Sequence, residues 1–84
     1  MSETNSEHRT SPRHRVFKGG RLAFPDGGAV DCVVRNISSS GARVDVVDPR
    51  GLPEVFTLVI AADHFKRRCH PVWSHDKQIG VVFE

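Results

Sequence analysis

An all-β domain is the fold class this chain predicts, and three observations predict it. Apolar and polar residues alternate in short runs, the period of a strand with one dry face and one wet face. Clusters of turn-forming residues, Pro25-Asp-Gly-Gly28 and Asp48-Pro-Arg-Gly51, separate those runs. No segment keeps a helical period beyond a single turn. Six short strands joined by hairpins suggest a closed or nearly closed antiparallel barrel. With 84 residues and 38% hydrophobic content, the chain has material for one small core. A chain of that size buries only about 60–65% of its unfolded surface, so modest stability is expected.

Residues 1–12 are polar and rich in Ser, Thr and Glu, which predicts a flexible N-terminal arm ahead of a barrel domain over residues 13–84. Pro12 biases Ser11 toward extended backbone and keeps the arm from becoming a helix. A first strand spans residues 16–24, with Leu22 and Phe24 on one face and Arg21 and Ala23 on the other. Gly19 and Gly20 inside it suggest a bulge or sharp bend of the kind small barrels need to close. A second strand covers residues 29–37, with Val30, Cys32 and Val34 sharing a face. The third, residues 42–47, alternates cleanly: Ala42, Val44 and Val46 inward, Arg43 and Asp45 outward.

Phe56, Leu58 and Ile60 give the fourth strand, residues 56–60, a dry face. Residues 61–66 are polar enough for a loop with one helical turn. The fifth strand covers residues 67–73, where Pro71 requires an edge position or a local bulge. Its Cys69-His-Pro-Val-Trp73 stretch predicts a core-facing Trp73. Residues 78–83 form the sixth, with Ile79, Val81 and Phe83 pointing one way.

The formal net charge of +2 is unevenly spread. Arg9, Arg13, Arg15, Lys18 and Arg21 fall within residues 9–21 with no acid, giving +5. From residue 22 onward seven basic residues face eight acidic ones, giving −1. Cationic charge at the arm favours an anionic partner there. No run of 18 apolar residues exists and the first residues carry no apolar stretch of signal-peptide type, so a cytoplasmic protein without a membrane span is expected. In a reducing compartment Cys32 and Cys69 are expected to be small buried apolar residues. His64, Cys69, His70 and His75 lack the paired spacing of a zinc site, so no metal is expected. Neither a nucleophile–base–orienter set nor paired carboxylates can be found, which sets catalysis aside.

Two short polar signatures remain. Arg9-Thr-Ser-Pro-Arg13 carries two guanidinium forks, suited to phosphate oxygens and to the O6/N7 edge of guanine. Asn36-Ile-Ser-Ser-Ser-Gly41 sets an amide, hydroxyls and a glycine at a turn between strands. By itself the second is an ordinary polar turn; its Asn36-Ile-Ser38 sequon carries no weight without a secretion signal.

The pair, in this order and with strands between and after, resembles the PilZ domain, a family of bacterial receptors for the second messenger cyclic di-GMP. The resemblance covers roughly Arg9 to Glu84. It implies a six-stranded antiparallel barrel, here a minimal version without the C-terminal helix that often follows. It implies that Arg9 and Arg13 wrap over the ligand while Asn36, Ser38 and Gly41 meet it from the barrel. Arg15 continues the basic strap and is a third candidate contact. Gly41 is expected to turn the backbone with positive φ and to allow close approach of ligand or arm. Asn36 stands where relatives carry Asp or Asn; its single neutral acceptor face suggests weaker binding than Asp would give. The resemblance further implies a downstream protein partner, no cofactor and, by default, a monomer. Two other functions are weighed: a PilZ-like adaptor acting through protein contacts without nucleotide, and a small basic barrel binding nucleic acid. The latter is disfavoured, because such modules display several exposed aromatics and this chain has five Phe, no Tyr and one Trp, most at inward positions.

Overall fold

Alternation of apolar residues gives six strands in the computed structural model, which describes residues 14–84. They are β1 (His14–Ala23), β2 (Ala29–Ile37), β3 (Gly41–Val46), β4 (Phe56–Ile60), β5 (Phe65–His75) and β6 (Gln78–Phe83). One 3-10 turn, Ala61–Asp63, lies between β4 and β5. The strands close antiparallel in the order β1-β2-β3-β6-β5-β4, so the chain is a six-stranded barrel as expected. Among the described residues no helix is long and apolar enough to cross a membrane.

The inward side chains fill the cylinder. Leu22, Val34, Val44, Phe56, Leu58 and Ile79 are at most 1% exposed. Each such Leu, Ile, Val or Phe contributes about 1.5–3 kcal/mol by leaving water, which is what offsets the ordering of so short a chain. Phe24 and Phe65 close opposite rims: Phe24 meets Phe56 edge-on at 6.4 Å and Phe65 meets Phe83 at 5.4 Å.

Strands β2, β4 and β6 have the predicted limits. Elsewhere the structure differs, each time for a local reason. β5 starts at Phe65, before the predicted loop ends, because His64 adopts left-handed backbone (φ 53°) and lets the chain reverse immediately after the 3-10 turn. β3 begins at Gly41 and ends at Val46, leaving Val47 82% exposed. β1 begins at His14 and ends at Ala23. Val30 is 38% exposed rather than core, since it lies near the open end of β2.

The bulge in β1 falls between Arg15 and Lys18, not at the glycine pair. Gly20 instead occupies an inward position with no room for a side chain. A Cβ there would lie 3.1 Å from the Val59 carbonyl oxygen and 3.3 Å from Cys32 Sγ. A second bulge separates Val34 from Asn36, and a third separates Pro71 from Trp73. This third bulge inserts Val72 and flips the alternation that follows. Cys69 is buried, but Trp73, four residues on, faces outward at 45% exposure. The expectation of a core tryptophan is therefore corrected.

Gly41 is required by the closure of β3 against β6. A Cβ there would collide with the carbonyl oxygen of Val81. Because that neighbour is backbone, Gly41→Ala is expected to destabilise the barrel by roughly 2–3 kcal/mol, the range of overpacking in a tight site. Urea denaturation of the two proteins measures the difference.

Cys32 and Cys69 are both free and buried, as expected. Loss of water raises the Cys32 thiol from 9.0 to about 12, with Asp31 and Cys69 adding to it. Burial likewise lifts Cys69 to about 11. Unfolded thiols ionise first as pH rises, so the native state holds more protons and stability falls from pH 9 up to about 12. Two outcomes are expected: native protein resists thiol alkylation until unfolded, and Cys32→Ala flattens the alkaline decline in urea midpoint.

Candidate functional site

Strand register brings one row of outward residues across five strands. Arg15 on β1 pairs with Asn36 on β2. Asn36 pairs with Arg43 on β3, Arg43 with Gly80 on β6, and Gly80 with Trp73 on β5. The described chain begins at His14, paired with Ile37, so it enters the barrel beside the Asn36–Gly41 turn. Arg9 and Arg13 lie outside the described residues. Of the predicted site residues, Arg15, Asn36, Ser38 and Gly41 are therefore brought to one end of the barrel.

Each has a distinct local setting. Ser38 is 9% exposed, and its hydroxyl serves the turn. The amides of Ser40 and Gly41 each donate to Ser38 Oγ at 3.2 Å, and that hydroxyl donates to the Gly41 carbonyl at 3.3 Å. The Ser38 amide completes the loop by donating to the same carbonyl at 2.8 Å. A serine placed this way shapes the turn that presents Asn36 and Ser40. Gly41 does not have positive φ: among the described glycines only Gly27 and Gly51 do. Its role is the close approach to Val81 described above, so the expected conformational reason is replaced by a steric one. Arg15 is exposed and has no ion-pair or hydrogen-bond partner among the described residues.

A cavity of about 410 Å³ opens along this row, lined by Asn36, Ser40, Arg43, Val72, Trp73 and Val82 among others. Two of these escaped notice in the sequence. Arg43 looks like any outward strand residue, yet it is half-buried and has no partner among the described residues; its Nε is buried without a hydrogen bond. Trp73 has its indole laid over Gly80, where a Cβ would strike Nε1, Cε2 and Cζ2. Only glycine at position 80 leaves room for the ring against β6. Among the described residues no acidic side chain lines the cavity, and none pairs with Arg43. Arg35, the residue before Asn36, is already committed: it reaches Asp45 at 2.8 Å and sits 5.5 Å above the Phe17 ring.

A larger groove of about 1240 Å³ lies at the other end of the barrel, near Val47, Asp48, Arg50 and Lys77. Its acidic residues and Arg50 are engaged in ion pairs, while the Lys77 side chain has no ion-pair or hydrogen-bond partner among the described residues. Arg50 grips Asp48 through Nε at 3.0 Å and NH2 at 3.1 Å, and these bonds hold that carboxyl down at about 2. Asp45 gives Oδ2 to Arg35 and keeps a buried Oδ1 without a hydrogen bond, and Asp31 lies 3.5 Å from Arg21. Size alone does not make a site; the smaller cavity offers unpaired charge beside an open aromatic face. Among the described residues no three His, Cys, Asp or Glu side chains converge as metal ligands would.

The arrangement can hold an anion and a flat ring together. No family model matches this chain, and no curated protein matches it.

Proposed function

We propose that this protein is a PilZ-type receptor for cyclic di-GMP, acting in the bacterial cytoplasm by binding and change of shape. The observation that supports this most is the register: the entry of the N-terminal arm, Asn36 and the unpaired Arg43 share one row that ends at an exposed indole. Cyclic di-GMP carries two phosphates and two guanines, and this row offers matching chemistry. Arg9 and Arg13, next along the chain from Arg15, supply the forks for phosphate or for a guanine Hoogsteen edge. Asn36 offers an amide to a base edge. Ser38 and Gly41 hold the turn at the right height.

Ligand binding draws the arm onto the barrel, and ordering it costs part of the gross interaction energy. The same ordering builds a new surface for a downstream protein to recognise. Nothing in the arrangement requires a chemical step, so the output is the bound shape itself.

Isothermal titration of the full chain with cyclic di-GMP tests the proposal. Each charge-assisted arginine contact is expected to contribute about 1.5–3 kcal/mol, so Arg13→Ala or Arg9→Ala weakens binding by about ten- to a hundredfold. Arg13→Lys keeps the charge without the fork and is expected to fall between wild type and Arg13→Ala. Absence of heat at near-millimolar ligand, or unchanged affinity in the arginine variants, rejects the assignment.

A further inference from the structure

We infer that the barrel face alone, through Trp73 and Arg43, is a preformed subsite for one purine nucleoside monophosphate unit, competent without the arm arginines. The inference rests on the receptor reading above and deepens it: the ligand is captured in two steps, one half on the barrel first.

Three features make the subsite rather than merely decorate it. The bulge at Val72 turns Trp73 out of the core, and Gly80 leaves room for the Nε1, Cε2 and Cζ2 atoms of its indole. At 45% exposure Trp73 keeps a large part of its surface open to solvent. No described aromatic or cationic side chain stacks on it: the ring contacts and cation–π pairs among the described residues involve Phe17, Phe24, Phe56, Phe65 and Phe83 only. Val72 and Val82, 54% and 37% exposed, flank the cavity with apolar walls that favour a ring over a hydrated ion. Arg43, two strand pairings from Trp73 with Gly80 between them, supplies the charge. Its side chain has no partner among the described residues, so a phosphate oxygen or a base carbonyl can accept from the guanidinium where it lines the cavity.

Stacking on an indole is tolerant of base identity but grows with ring size, so purines are expected to outbind pyrimidines. Free phosphate gains the charge without the stack. Because Arg43, Gly80 and Trp73 stand on paired strands, the subsite exists before ligand arrives.

Trp73 is the only tryptophan, so intrinsic fluorescence reports on this position and nowhere else. The experiment titrates full-length protein with GMP, AMP, UMP and inorganic phosphate, exciting at the red edge of the indole band. A stack plus one charge-assisted contact predicts saturable quenching by GMP with a midpoint on the order of 1 mM. AMP follows GMP closely, UMP is several-fold weaker, and phosphate alone leaves the emission unchanged. The full-length Arg9→Ala, Arg13→Ala double variant keeps the GMP midpoint within about twofold. Arg43→Ala raises it about tenfold or more, and Arg43→Lys lies between. Circular dichroism and a thermal melt establish that each variant is folded.

The inference is overturned if millimolar GMP produces no saturable quenching, if Arg43→Ala leaves the midpoint in place, or if the double variant loses GMP binding. The two readings fail separately. Cyclic di-GMP that binds by calorimetry without changing the Trp73 emission removes the subsite and leaves the receptor. Quenching by GMP with no heat from cyclic di-GMP removes the receptor and leaves the subsite.

Discussion

Two points of backbone contact make this barrel possible. At Gly41 strand β3 comes so near Val81 that no side chain fits, and at Gly20 strand β1 lies against Val59 and Cys32. A barrel with so few residues has little volume to fill, and these approaches let a core of mostly Val, Leu and Ile close it. Once closed, outward positions on neighbouring strands are held in rows. The row from Arg15 to Trp73 is therefore a product of closure, and its chemistry is only as firm as the two glycine contacts beneath it.

The Asn36–Gly41 turn shows how few residues are needed to hold a surface in place. Ser38 donates and accepts within the loop, and the Phe83 amide donates to the Ser40 carbonyl at 2.9 Å, tying the turn to the last strand. A signature that suggests ligand contacts at every polar position thus divides its labour. Asn36 and Ser40 line the cavity, while Ser38 and Gly41 fix the loop that presents them. Arg43 and Trp73, which belong to no signature, complete the cavity wall.

Much of the fold was legible in the residues. Strands β2, β4 and β6 were delimited correctly because their alternation runs unbroken from one turn cluster to the next. The errors concentrate at bulges, which leave no mark in an alternation pattern. Trp73 sat four residues after buried Cys69, and only the extra residue at Val72 reverses its side. Gly19-Gly20 suggested a bulge and Pro71 allowed one; the first lies at Val16–Phe17 and the second is real. Arg43 was placed outward correctly, yet its significance depends on which strands flank it, and that is a property of pairing. For the candidate site, then, the turn could be found from local sequence and its two cross-strand neighbours could not.

One seam of the cylinder differs from the others. β1 pairs with β4 over Arg21–Ala23 only, while its earlier residues are laddered to β2 alone among the described residues. Half of β1 thus has a lone backbone edge, the kind of surface on which a foreign strand can add. Lys18 stands there, tied to Asp63 at 2.6 Å, and the kink at Val16–Phe17 breaks the straight run that templated pairing needs. The stretch that could accept a further strand is thus interrupted by one ion pair and one irregularity, immediately downstream of the arginines proposed to hold the ligand.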